Sequence, residues 1–171
     1  MIRLVRRSGV RSLFHHAEFA RPEKPLHEIR RADEQSAEPI ARLLRLVLRA
    51  SLPFLPELHT PDEDIWFVHN VMFAQCEVWV AETSDIDGFI AFREGWIDQL
   101  HVNPDCQHRG IGKALLEPAM NAYSPLRLWT FQKNAAAIRF YLAQGFREIE
   151  RTDGNRNEER EPDILLKWER G

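Results

Sequence analysis

Seven consecutive residues, Gln107, His108, Arg109, Gly110, Ile111, Gly112 and Lys113, have the makings of an anion site. Two glycines allow a tight turn and a close approach of ligand to backbone. The run lies between a stretch that reads as a strand and one that reads as a helix. A helix start at that point presents unpaired N–H groups and a partial positive charge, to which Arg109 and Lys113 add mobile cations. A pyrophosphate is the natural guest. The run has neither a full Walker A pattern nor a G-x-G-x-x-G, so mononucleotide and dinucleotide readings fit less well. Three side chains able to move protons flank it: Asp98 and His101 before, Tyr141 after. Strand alternation sets His101 opposite Asp98, and its imidazole reads as structural.

The elements that must hold these groups can be read from periodicity. Residues 27–31 alternate as a first strand. Asp33 offers a helix N-cap, and Ile40, Leu43, Leu44, Val47 and Leu48 recur at helical spacing over residues 35–50. Thr60, Pro61 and Glu63 form a capping-box start for a second helix, which carries Ile65, Trp66, Val68, His69, Met72 and Phe73. Strands are expected over 76–83, 89–93 and 96–102, with a turn at 85–88 and an interruption at Gly95. A helix follows from Gly110 to about Tyr123, which Pro118 should kink or shorten. Then come a strand at 126–131, a helix at 134–144 ended by Gly145, and strands at 146–151 and 164–168 around a polar hairpin loop. The order is strand, two helices, three strands, helix, strand, helix, two strands. An antiparallel meander followed by β-α-β-α-β is an α/β (α+β) fold, a mixed central sheet with helices on both faces.

Composition bounds the rest. The chain has 171 residues, 44% hydrophobic and 29% charged, enough for one domain with a substantial core. Residues 1–26 read as a basic, poorly ordered extension carrying six Lys/Arg and two acids, and residues 27–171 as the folded domain. Arg-rich, acid-poor starts also occur in organelle transit peptides; a disordered tail or an over-extended start codon is favoured here. The formal net charge of −3 argues against a nucleic-acid partner, and no apolar run is long enough for a membrane helix. The two cysteines, Cys76 and Cys106, could form one disulfide but fit a reducing, cytoplasmic setting better. Neither has metal-ligand spacing, so no metal is expected.

The motifs together resemble those of the GNAT family of N-acetyltransferases. Residues 97–104 (Ile97, Asp98, Gln99, Leu100, His101, Val102, Asn103, Pro104), then Gln107-x-x-Gly110-x-Gly112 and Leu115-Leu116, are similar to its acetyl-CoA-binding motif. Asn134-x-x-Ala137-x-x-Phe140-Tyr141, followed by Gly145-Phe146, resembles a second. The resemblance covers about residues 27–169 and includes the order of elements. It implies an N-acetyltransferase domain that uses acetyl-CoA as co-substrate and passes the acetyl group directly to a primary amine.

The resemblance also implies roles for single residues. Backbone groups on the stretch Leu100, His101 and Val102 would pair with the pantetheine arm, which requires the fourth and fifth strands to splay. N–H groups of Gln107, His108, Arg109, Gly110, Ile111, Gly112 and Lys113 would hold the pyrophosphate. Asn134 would bind the cofactor arm, and Tyr141 would protonate the leaving thiolate. Asp98 is the candidate base, with Glu82, Glu94 or a water relay as alternatives. Trp66, Trp79, Trp96 and Trp129 read as core, Trp96 and Trp129 having the better claim to line the cleft. Acids at 158, 159 and 161 would favour a cationic amine if the hairpin covers the acceptor. A non-catalytic acyl-CoA-binding domain is the alternative reading, and exposed sheet edges make a homodimer plausible.

Overall fold

A computed structural model describes residues 27–171, and the basic extension expected over residues 1–26 lies outside them. One seven-stranded mixed sheet runs through the molecule in the order β1-β2-β3-β4-β5-β7-β6. Its strands are β1 (Glu28–Arg31), β2 (Glu77–Glu82), β3 (Ile86–Arg93), β4 (Trp96–Val102), β5 (Leu126–Phe131), β6 (Arg147–Arg151) and β7 (Asp163–Trp168). The helices are α1 (Ala37–Ser51), α2 (Pro61–Phe67), α3 (Phe73–Gln75), α4 (Ile111–Ala122) and α5 (Ala135–Ala143). All neighbours pair antiparallel except β4 and β5, which are parallel and meet at a single position, Trp96 opposite Arg127.

Local sequence accounts for most boundaries. Asp33 caps a 3-10 turn (Glu34–Ser36) that leads into α1. Thr60 and Glu63 complete the reciprocal capping box, with Pro61 in the first turn of α2. Asn134 caps α5 by accepting from the Ala137 N–H at 3.2 Å.

Helices cover both faces, as the alternation requires. Ile40, Leu43, Leu44 and Val47 of α1 pack with Val78, Val80, Phe89 and Ala91 of the sheet. On the opposite face Ile111, Leu115, Leu116 and Ala119 of α4 pack with Ile90, Phe92, Ile97 and Leu128.

Four expectations are corrected. The turn at 85–88 is partly strand, since β3 begins at Ile86 and takes in Asp87 and Gly88. Of the two effects expected of Pro118, shortening does not occur: α4 continues past it to Ala122, close to the expected end at Tyr123. Trp66 is not core: it is 61% exposed. Beyond Phe67 the backbone passes through a π-helical segment, Val68–Met72. A π turn adds a residue, so no single 3.6-residue period describes the inward face. Finally, a β-bulge in the β3–β4 ladder pairs Ala91 with Gln99 but Phe92 with Ile97, leaving Asp98 as the extra residue. The bulge resets the alternation that set His101 opposite Asp98.

Candidate functional site

The bulge and the single β4–β5 pair open a wedge between the two central strands. Leu100, His101 and Val102 lie past the last residue that β5 pairs with, so among the described residues β4 has no strand partner on that edge. Leu100 and Val102 pack against the core under α4. The Val102 carbonyl accepts the Gln107 side-chain amide at 3.2 Å, tying the strand end to the turn that follows.

That turn exposes an unusual number of donors. His108 at φ +60° and Gly110 at φ +84° both occupy the left-handed region, which glycine adopts freely and histidine rarely. Gly110 is the N-cap position of α4; no side chain caps the helix and its first turn has no acid. Among the described residues, the N–H groups of residues 108–113 meet no protein acceptor. Lys113 stands in that first turn, where the helix dipole disfavours a cation. Arg109 is held by the Asp105 carbonyl at 2.9 Å. Such an arrangement has the donors and the dipole that an anion site requires.

The second glycine has a different reason. A Cβ on Gly112 would lie 3.1 Å from the Phe140 ring, so this glycine allows α4 and α5 to approach. The tight turn belongs to Gly110 alone, not to both glycines.

Tyr141 sits in the core under α5, 6% exposed, with its ring edge-on to Phe140 and Phe146. Its hydroxyl has no hydrogen bond among the described residues. Nor is it among the sealed, unpartnered polar atoms, so it keeps an opening. Burial pushes its pKa well above that of an ordinary phenol, so the group stays protonated. Asn134 uses its side-chain carbonyl for the α5 cap, which leaves its amide N–H groups to donate.

Asp98 is less free than the sequence suggests. Both its oxygens are taken by Arg93, at 2.7 and 3.1 Å, and the Cys76 thiol donates to it at 3.2 Å. Burial, then the hydrogen bond to Asp98, pushes that thiol up to about 12. Glu82 is paired with Arg30 at 2.6 Å. Cys106 donates to Asp87, and burial raises its pKa, so it is not an activated nucleophile. Both cysteines are free.

His101 lies against Phe89, with its Nε2 2.7 Å from the Gln99 side chain. Burial lowers its pKa to about 4, so it stays neutral. A histidine depressed in the fold stabilises it above the unfolded pKa of about 6.5 and loses that contribution as pH falls towards 4. The melting temperature of His101→Asn should therefore fall less steeply than that of the parent between pH 6.5 and 4.

Cavities among the described residues flank the sheet on two sides. One of about 430 Å³ lies over β5, β7 and β6 and is lined by Trp129, Phe131, Glu150, Arg156 and Glu159 among others. It borders the part of β5 that has diverged from β4. Trp129 is 42% exposed there, whereas Trp96 lies at the foot of the wedge with the guanidinium groups of Arg93 and Arg127 each 6.0 Å from its ring. Phe54 from the α1–α2 connection meets Phe131 edge-on, and His59 stands 3.5 Å from Glu158 of the late hairpin. Glu161 is paired with Lys133 at 2.7 Å. Another cavity, about 550 Å³, lies between α4 and the β1–β2 edge, away from both wedge and turn.

Sequence reasoning missed Arg93, the bulge and Glu150. Arg93 and Glu150 carry no motif, and a bulge leaves no local mark in the sequence.

Comparison with known proteins adds to this geometry. A family profile described as an acetyltransferase (GNAT) domain matches residues 74–148. The peptidyl-lysine N-acetyltransferase YiaC of Escherichia coli K12 is 36% identical over 85 residues, which is 48% of this chain and 58% of that protein. The chain thus spans little more than half the length of that relative. The solution structure of apo YjaB from Escherichia coli superposes with a TM-score of 0.69 at 23% identity, covering 84% of this chain and 97% of that one. PaiA N-acetyltransferase from Thermoplasma acidophilum, in complex with coenzyme A, gives a TM-score of 0.64 at 19% identity, covering 84% and 99%.

Proposed function

We propose that this chain is an acetyltransferase of the GNAT superfamily and that it moves the acetyl group of acetyl-CoA to a primary amine. The observation that carries the reading is the uncapped, acid-free N-terminus of α4 beside the β4–β5 wedge. The turn takes the pyrophosphate, and the unpaired edge of β4 takes the pantetheine arm as an added strand. The amide N–H groups of Asn134 donate to the same arm.

Direct transfer forms one C–N bond and breaks one C–S bond. The amine attacks only when neutral, and a lysine-like amine has a pKa of about 10.4, so a proton must leave first. We read that proton as passing to water, because Arg93 and Cys76 fill the Asp98 carboxylate. Asp98 then acts as a positioning residue that pins the bulge. On this reading Asp98→Asn lowers kcat less than about tenfold and leaves the acidic limb of the kcat/KM profile in place. Loss of that limb in a pH series would return Asp98 to the role of base. Tyr141 donates to the departing sulfur.

The acceptor is a cationic amine such as a lysine side chain. Support comes from the acids of the 430 Å³ cavity, where Glu150 and Glu159 have no salt-bridge partner among the described residues. Glu158 and Glu161 are engaged elsewhere, so the selectivity assigned to the hairpin narrows to Glu159 and is joined by Glu150. Replacing both Glu150 and Glu159 by Gln should raise KM for a lysine peptide about 5- to 20-fold with kcat little changed, since exposed charge pairs contribute about 1 kcal/mol each. An unchanged KM would dismiss the cavity as the acceptor site.

A panel of amines and lysine peptides, assayed by release of free CoA, tests the proposal as a whole. Tight acetyl-CoA binding with no release for any acceptor would favour a non-catalytic acyl-CoA-binding domain instead.

A further inference from the structure

Three side chains from distant parts of the chain converge at the far end of β3, beside the cofactor turn. His27 precedes β1, Asp87 lies in β3, and Cys106 closes the 3-10 turn Pro104–Cys106. His27 Nε2 is 3.2 Å from Asp87 Oδ2, and Cys106 Sγ is 3.3 Å from Asp87 Oδ1. The nitrogen, sulfur and carboxylate donor atoms all lie within 4.8 Å of one another.

Hydrogen bonding alone does not satisfy this cluster. His27 Nε2 is sealed from solvent and has no hydrogen-bond partner among the described residues, although it stands at contact distance from a carboxylate. Asp87 is only 8% exposed. A buried polar nitrogen left without a partner is destabilising, so its placement calls for a reason. We infer that His27, Asp87 and Cys106 form a binding site for one divalent transition-metal ion of the zinc class.

The donor set fits that class. One imidazole, one carboxylate and one thiolate suit zinc, whereas calcium and magnesium take oxygen alone. Ligands about 2.0–2.3 Å from a tetrahedral zinc lie roughly 3.3–3.6 Å from one another. His27 and Cys106 approach different oxygens of the Asp87 carboxylate, and with one ligand atom taken from each residue all three lie within 4.8 Å of one another, so the side chains would turn inward to close on one ion. Binding releases the Cys106 proton to solvent, and a metal–sulfur bond replaces the S–H donation to Asp87. A water completes the fourth position. The surroundings hold the ligands in place, as outer groups do at such centres. The Thr83 hydroxyl donates to Asp87 Oδ2 at 2.8 Å, and the Asp87 carbonyl accepts the Asn103 N–H at 2.8 Å. Cys106 is adjacent to Gln107, so an ion here would fasten the first residue of the cofactor turn to β3 and to the start of β1.

The test is Co²⁺ titration of the full, metal-stripped chain. One ion per chain is expected, with a near-ultraviolet thiolate-to-cobalt band that Zn²⁺ abolishes by displacement. Cys76→Ser should keep the band, Cys106→Ser should lose it, and His27→Gln should weaken binding at least tenfold. A second measurement covers the case in which Cys106→Ser misfolds. In the Cys76→Ser protein, stoichiometric Zn²⁺ should protect Cys106 from a maleimide. Absence of the band, a band that survives Cys106→Ser, or Cys106 labelling indifferent to Zn²⁺ would overturn the inference.

Discussion

Tyr141→Phe is expected to lower kcat for acetyl transfer by about 10²-fold while leaving the acetyl-CoA dissociation constant within about twofold. The figure follows from the environment of the phenol. Burial holds its pKa well above the ordinary value, and a departing thiolate resembles a thiol of pKa about 8.5. Full transfer from such a phenol to such a thiolate is uphill. On the proposed mechanism the hydroxyl would act as a hydrogen-bond donor to sulfur, which puts its expected contribution at the lower end of the range for general acids. Two corollaries separate this from a packing effect. The hydroxyl has no protein partner among the described residues, so its loss should leave the melting temperature nearly unchanged. Because the phenol stays protonated, the parent's kcat should show no fall attributable to Tyr141 up to about pH 10. Isothermal titration with acetyl-CoA alongside steady-state kinetics gives both readouts. An unchanged kcat, or a Kd that rises in step with the loss of rate, would remove Tyr141 from the chemistry.

Lys113→Glu should have the second large effect, and it should move binding and stability in opposite directions. Acetyl-CoA affinity should drop about 10- to 100-fold, equivalent to about 1.4–2.8 kcal/mol, because an anion replaces a cation in the turn proposed to receive the pyrophosphate. The loss should shrink as salt is added, since Lys113 is exposed. The fold itself should gain about 0.3–1 kcal/mol, because α4 has no acid in its first turn and a glutamate complements its dipole. A variant that loses both stability and affinity would mean that Lys113 supports the helix rather than the ligand.

The donor turn was legible because its signal is local. Gly110, Lys113 and the absence of acids say what the α4 terminus can do without knowledge of anything distant. The capping box at Thr60 and Glu63 and the Asn134 cap were legible for the same reason. What escaped depends on partners far away in sequence or on a change of period. Gly112 reads as a ligand-facing glycine until Phe140 is seen beside it. Asp98 reads as a free carboxylate until Cys76 and Arg93 are found on it. Trp66 reads as core until the π segment alters the phase of its helix. Asp87 and Cys106 are 19 residues apart and His27 lies far upstream of both, so no local metal-ligand spacing joins the three.

The single rung between β4 and β5 also divides the sheet mechanically. Strands β1 to β4 form one panel and β5, β7 and β6 another, each drawn from a continuous stretch of chain. Sequence separation does not single out the seam: its one rung, Trp96 with Arg127, spans fewer residues than Glu28 with Glu82 in one panel or Leu126 with Trp168 in the other. The seam is a hinge line carrying one backbone pair, spanned on one side by the core that α4 and α5 share. A cofactor lying in the wedge would act as a cross-brace between the panels. Its arrival should slow amide exchange along the facing edges of β4 and β5 more than within either panel.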